Sequence, residues 1–269
     1  IAADPEGQAM MDDFVDSTTD VFTIDGNLYE LPTDCNDAVV HVNTKMFQEA
    51  GIEIPYDGWT WDEFRSIAKQ LTTGEGDSKV YGFGTSLSPA WLAGWFMSNG
   101  SDYINDDWTD SNLSDPKATE TVEFLNSLVN EDKSMPVPET TTDATSLFAA
   151  GRVAMIATGI WPFPSYKANG FEDVDVVPMP TNSEDAKVGF GVGGVGIYSK
   201  SEHPQEAYEL MKELTSVETG KEKCASGTCV PVRYSLSEDE GYLSQCPNAK
   251  LFFESLEGGK ALPSPMNYS

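Results

Sequence analysis

Basic residues are scarce in this chain: 16 Lys and Arg stand against 44 Asp and Glu, for a formal net charge of −28. A surplus of that sign repels phosphate backbones and anionic lipid headgroups, which argues against nucleic-acid binding and electrostatic membrane docking. Otherwise the acidity reads as solvated surface. Histidine is scarcer still, with only His41 and His203, so a Ser-His-Asp triad or a zinc site has little to build on. There are four cysteines, Cys35, Cys224, Cys229 and Cys246, which allow three complete pairings. The step from Cys224 to Cys229 does not match paired zinc ligands, so neither a metal nor another cofactor is expected. No apolar run is long enough to span a membrane, and Ile1-Ala2-Ala3-Asp4-Pro5 does not resemble a signal peptide, so any targeting segment is expected to have gone. Gly-x-Ser-x-Gly, the P-loop and His-Glu-x-x-His are all absent. Among 44 acidic residues some pair always looks like a glycosidase dyad, so carboxylates alone do not make an enzyme.

What is present is enough apolar material for a substantial core: 269 residues, 39% hydrophobic and 11% aromatic, expected to form two lobes. Asp25-Gly26 is a hairpin-turn signal between Val21–Ile24 and Leu28–Leu31. Ala38–Val42 reads as a buried strand, with His41 a sheet residue and not a catalytic one. Asn43 caps a helix through Met46, Phe47 and Ala50 that Gly51 stops. Thr60-Trp61-Asp62-Glu63 is a capping box opening a helix whose apolar face is Trp61, Phe64, Ala68 and Leu71. Val80–Phe83 reads as a strand, and Pro89 opens a helix bearing Trp91 and Trp95. Asp102–Ser114 lacks the ligand spacing of a calcium loop and reads as a solvated loop. Asp115-Pro116 starts a further helix. Alternation of strands and helices predicts α/β architecture with mainly parallel sheets.

Two stretches carry functional information. Phe148–Met155 followed by Gly159-Ile160-Trp161 reads as a helix end, a glycine stop at Gly151, a buried strand and a loop. Such a loop falls where open α/β sheets take ligands, and Trp161 is either core or a stacking platform. Gly191–Gly196 matches the dinucleotide fingerprint by letter, but Val195–Ser199 continues as a strand where that motif needs a helix. The glycines read as places of close backbone approach.

Taken in order, several runs resemble the sugar-binding class of ABC-transporter extracellular solute-binding proteins, the maltose-binding protein family. They are Asp25–Pro32, Val42–Phe47 with Ala50–Ile52, Thr60–Phe64, Val80–Gly84, Phe148–Met155, Gly159–Trp161, Phe190–Ile197 and His203–Ala207. The resemblance implies an α/β, two-lobed, type II periplasmic-binding-protein-like fold, here incomplete at both ends. Residues 1–36 and 190–262 would form part of lobe 1 and residues 37–189 lobe 2, with residues 263–269 the third interlobe crossing. The implied role is capture of a sugar or oligosaccharide in an interlobe cleft. Delivery to ABC transporter permease subunits would follow, outside the cytoplasm, at a cell surface or in a periplasm, with a lipid anchor on a missing N-terminus. A carbohydrate-active enzyme and a ligand-free scaffold fragment are the alternatives.

Residue by residue, the resemblance makes Trp161 the aromatic platform for the apolar C–H face of a pyranose. As a cleft residue it is expected to add little to the unliganded core. Asn36 matches a polar position on the first crossing strand, with Asp34 and Asp37 as neighbours that could take its place. Trp91 faces the cleft in relatives, although Trp91 or Trp95 must pack inward. Gly193 and Gly194 would bring backbone amides to a sugar hydroxyl, and Arg233 is a candidate either for the ligand or for a surface charge. An exported protein would have at least one oxidised pair among Cys224, Cys229 and Cys246. With lobe 1 incomplete, the chain by itself is expected to self-associate or to be marginally stable, and to bind sugar poorly.

Overall fold

The computed structural model describes residues 5–86, 88–105, 109–138 and 143–263, which fall into two compact units. Among the described residues, unit 1 gathers Pro5–Asp37, Gly159–Pro164 and Phe190–Ala261; unit 2 holds those of Ala38–Thr158, Ser165–Gly189 and Leu262–Pro263. The segment 159–164, expected within lobe 2, therefore groups with unit 1, as does Asp37. Of the expected third crossing, positions 264–269 lie outside the described residues.

Unit 1 begins with helices α1 (Pro5–Asp12) and α2 (Asp16–Asp20) and the hairpin β1 (Thr23–Ile24) and β2 (Asn27–Leu28). The hairpin turn is built as its sequence requires, with Asp25 at φ 52° and Gly26 at φ 75°. Positive φ at both central residues matches the twist of the flanking strands. Strand β3 (Glu30–Asp37) follows, and after Ala38 the chain enters unit 2 as β4 (Val39–Asn43).

The Asn43 side chain accepts from the Met46 amide and starts α3 (Thr44–Ala50), which ends at Gly51 in the left-handed region at φ 68°. The capping box is complete at α4 (Trp61–Leu71): the Thr60 hydroxyl accepts from the Glu63 amide, and the Glu63 carboxylate accepts from the Thr60 amide at 2.8 Å. The buried face of α4 carries Trp61, Phe64, Ala68 and Leu71. It meets α5 (Pro89–Ser98) and α6 (Pro116–Asn130), so that Phe64, Phe83 and Trp95 pack edge to face with ring centroids 5.0–5.2 Å apart. Trp61 stacks on Phe124 at 4.2 Å and donates its indole N–H to Ser98. After α7 (Ala144–Ala149), β5 (Met155–Thr158), α8 (Phe163–Ala168) and β6 (Val174–Val177), β4 lies between β5 and β6 with every residue of the three strands buried. His41 sits in that sheet edge-on to the rings of Phe148 and Tyr166, as a core residue.

The expected parallel sheets are corrected here. β4 runs antiparallel to both β5 and β6, and β3 runs antiparallel to its neighbour β7 (Gly189–Gly196). Val80–Phe83 makes isolated bridges, with Tyr81 parallel to Val153, and not a strand. Strand direction depends on which distant segment supplies the partner, and a buried apolar run carries no record of that.

The chain returns to unit 1 through β7, then α9 (Pro204–Leu214), α10 (Val217–Ala225), α11 (Glu240–Leu243), α12 (Lys250–Leu256) and β8 (Lys260–Ala261), giving the sheet order β3-β7-β8. The glycine run is thus a strand, as its neighbours required. Phe14, Leu31, Cys35, Val230, Leu236, Tyr242 and Phe252 fill the core of this unit.

Candidate functional site

Strand β3 sorts its polar residues by the two-residue period of a strand. On one face lie Asp34 and Asn36, opposite Gly193 and Gly191 of β7. On the other lie Cys35 and Asp37, both buried, opposite Val192 and Phe190. Asn36 and Asp37 are neighbours in sequence but have different surroundings.

Asn36 donates its amide N–H to the Thr228 carbonyl at 3.1 Å, while its Oδ1 is an acceptor with no partner. Gly191 is exposed, and a side chain there would meet nothing within 4 Å. The Asn36 Oδ1 is itself buried, and the open space on this face lies over Gly191. Trp161 stands close by in the same unit. Its ring covers Gly159 so tightly that a Cβ on residue 159 would collide with the indole, and that Cβ would also lie 3.0 Å from Asn36 Oδ1. Even so, Trp161 remains 45% exposed. A glycine that fixes an indole, an indole with solvent on it and a buried amide oxygen without a partner therefore meet in unit 1.

Asp34 is half-buried and partly engaged, accepting from Lys223 Nζ at 3.0 Å and from the Thr33 hydroxyl at 2.9 Å. With both side chains about a third exposed, this ion pair is screened and serves to orient rather than to stabilise. Gly193 allows the Asp34 carboxylate its place, since a Cβ there would sit 3.1 Å from Oδ1.

Two expectations are corrected, for Asp37 and Arg233. Asp37 is only 3% exposed and neither carboxylate oxygen has a hydrogen-bond partner, so it lies on the core face and not beside Asn36. Burial pushes its carboxyl well above the ordinary carboxylate range. Gly194 is exposed, and the Phe22 ring and the Glu30 carboxylate occupy the space a Cβ would need, so the strand requires glycine there. Arg233 is neither ligand-facing nor a surface charge. It is 3% exposed, donates to the Thr215 carbonyl, pairs with Asp13 at 3.0 Å and lies 4.0 Å from the centre of the Phe14 ring.

Trp91 belongs to unit 2 and is half-buried, while Trp95 is the inward-facing member of that pair. Lys223, Ser226 and Thr228, which complete the surroundings of Asp34 and Asn36, were not singled out by sequence. They arrive from some 190 positions further along the chain, and their only local mark is a turn at Gly227 with φ 73°. No group of three or more potential metal ligands occurs among the described residues. None of their helices is long and apolar enough to cross a membrane.

Comparison with known proteins places this geometry in a family. A family model described as bacterial extracellular solute-binding protein matches residues 3–246. A binding protein of Brucella abortus is 27% identical over 79% of this chain and 53% of its own length. The arabinooligosaccharide-binding protein of Bacillus subtilis is 24% identical over 79% of this chain and 50% of its own. Among solved structures, an ABC substrate-binding protein of Listeria monocytogenes in complex with cycloalternan superimposes with a TM-score of 0.81 at 24% identity, covering 96% of this chain and 66% of that one. The fold is accordingly the α/β, type II periplasmic-binding-protein fold, and the chain spans about half the length of the relatives it matches. This chain belongs to the bacterial extracellular solute-binding protein family.

Proposed function

We propose that the chain binds a sugar or oligosaccharide outside the cytoplasm, as the receptor component of an ABC importer that hands its ligand to membrane permease subunits, and that it carries out no chemistry on it. The observation that carries this reading is the half-exposed indole of Trp161, packed against Gly159 beside the strand that bears Asp34 and Asn36. A pyranose offers an apolar face of C–H groups to an indole while its equatorial hydroxyls stay free to donate to an acceptor at the rim. Asp34, held by Lys223, is the second polar contact on that face, and Gly191 and Gly193 leave the strand low enough for a ring to reach it. Asp37, Gly194 and Arg233 have structural roles in this reading. Units 1 and 2 correspond to the two lobes of such a receptor, and Trp91 is the candidate aromatic of unit 2.

Relatives and structural neighbours support the substrate class by what they bind: arabino-oligosaccharides in the Bacillus protein and cycloalternan in the Listeria protein. The test is titration calorimetry of the full-length gene product against arabino-, malto- and other gluco-oligosaccharides, with product analysis of the same mixtures. Saturable binding without turnover is expected, with Trp161→Ala and Asn36→Ala each weakening it. Hydrolysis of an oligosaccharide, or the absence of binding to any of them, would overturn the reading.

A further inference from the structure

The Sγ atoms of Cys224 and Cys229 lie 3.8 Å apart, both residues are buried, and no disulfide joins any of the four cysteines in this structure. We propose that Cys224 and Cys229 are a modification site: a dithiol that closes to an intramolecular disulfide and sets the turn which holds Asn36.

Geometry selects this pair. Cys224 lies in the last turn of α10 and Cys229 just before Val230, whose backbone exchanges hydrogen bonds with Cys35 of β3 at 2.8 and 3.2 Å. Between them the chain turns through Gly227 at φ 73°, a conformation that brings residues 224 and 229 side by side. A disulfide needs its sulfurs about 2 Å apart. The remaining movement is of the size that small side-chain rotations supply when both thiols already face each other. Cys35 is a third thiol nearby, but its Sγ points at the Val230 and Pro231 carbonyls, at 3.5 and 3.9 Å. It is also buried in a strand that both neighbouring segments hold in place. The hydrogen bond from the Cys224 thiol, helped by Lys223 and Thr228 and opposed by burial and the Asp34 charge, favours the Cys229 thiolate, which makes Cys229 the first nucleophile in the proposed exchange.

The step is thiol–disulfide exchange with an external disulfide, such as that of an exported thiol oxidase or glutathione disulfide. Cys229 thiolate attacks one sulfur of R–S–S–R and expels RS⁻ to give a mixed disulfide. Cys224 loses its proton, attacks Cys229 Sγ and expels the second RS⁻, leaving the Cys224–Cys229 bond and, after protonation, two RSH. The two cysteines are oxidised by two electrons and the external disulfide is reduced by two. With Cys224 and Cys229 only 3% and 5% exposed, exchange takes place while the chain folds or when the 225–228 turn opens.

The turn is tied to the candidate site. Thr228 carbonyl accepts from Asn36 Nδ2, Ser226 and Thr228 hydroxyls share a hydrogen bond at 2.7 Å, and Lys223 reaches Asp34. Closing the disulfide restricts Thr228 and so fixes the Asn36 side chain that donates to its carbonyl. This consequence for ligand affinity rests on the reading of Asn36 given above; the disulfide itself does not.

The experiment unfolds the full-length gene product in denaturant, refolds it in a reduced/oxidised glutathione buffer, quenches it with acid and alkylates it under denaturing conditions. Intact mass and peptide mapping follow. The expected result is two thiols lost, a mass lower by two hydrogens, and a linked peptide joining residues 224 and 229. Cys246→Ser should leave the link intact, and Cys224→Ser should abolish it. Four alkylated thiols at equilibrium in the oxidised buffer, or a link through Cys35 or Cys246, would overturn the proposal. Calorimetry of oxidised and reduced protein then reads the affinity arm. Tighter oligosaccharide binding by the oxidised form, by several-fold, is expected. Equal affinity with the link present would remove the coupling to Asn36 and leave the modification site standing, and no sugar binding in either form would count against the proposed function alone.

Discussion

Trp161→Ala separates stacking from packing because the indole is divided between the two. Trp161 is 45% exposed; for a side chain that buries up to roughly 250 Å², about 110 Å² is still in water. A pyranose lying on the free face removes most of that area, worth about 1–2 kcal/mol of affinity, or roughly a 5- to 30-fold rise in Kd on truncation. The other part of the ring, over Gly159, is already buried without a ligand. Truncation exposes or empties that contact too and costs the unliganded protein about 2–3 kcal/mol, the upper end being a ceiling set by an extended unfolded chain. The melting midpoint should fall by roughly 4–10 °C, in place of the near-zero change that a wholly exposed cleft residue would give. Calorimetry on the folded variant reads the first effect and scanning calorimetry without sugar reads the second; Trp161→Phe should recover much of both. A folded Trp161→Ala protein with a Kd within twofold of the parent would refute the stacking argument and leave Trp161 as a packing residue.

Other outcomes follow from residues away from the platform. Arg233→Met should destabilise unit 1 by about 2–4 kcal/mol by leaving Asp13 and the Thr215 carbonyl without their partner, yet leave sugar affinity of the folded protein unchanged; a large loss of affinity would return Arg233 to the site. Asp37, whose carboxyl is raised by burial, binds its proton more tightly folded than unfolded, so its contribution to stability is complete at acid pH and is lost as pH rises from the ordinary carboxylate range through the folded value. Asp37→Asn should therefore gain stability over the parent as pH increases, and a midpoint difference that is flat from pH 4 to 9, measured by thermal scans, would contradict this sign. Thr60→Ala removes the acceptor of the Glu63 amide and should cost about 1 kcal/mol, read as faster amide exchange in the first turn of α4.

Local rules made much of the chain legible. The Asp25-Gly26 turn, the Asn43 and Gly51 helix limits and the Thr60–Glu63 box each depend on residues within a few positions of one another, and each is found where its side-chain chemistry puts it. The glycine run could be read as strand because its own flanks are β-branched and apolar. Trp161 could be marked, but its partial burial could not, since the Gly159 contact depends on how the loop doubles back. Arg233 defeated sequence reasoning for a related reason: a buried arginine and a surface arginine have the same neighbours in sequence. Asp34, Asn36 and Asp37 needed the register of β3 against β7 before their faces could be told apart, and that register is set by a segment some 150 positions away.

The interleaving of unit 1 along the chain also fixes an order of events during synthesis. The sheet β5-β4-β6 has all of its strands once residue 177 has emerged, whereas β3 has no partner until β7 is made, and the unit continues to residue 261. Loop closure over that distance is slow, and a strand without its partner offers its backbone to other chains. The strand bearing Asn36 is consequently synthesised well before the partner that secures it. A polypeptide stalled between the two would therefore present an aggregation-prone edge at the residues proposed for recognition.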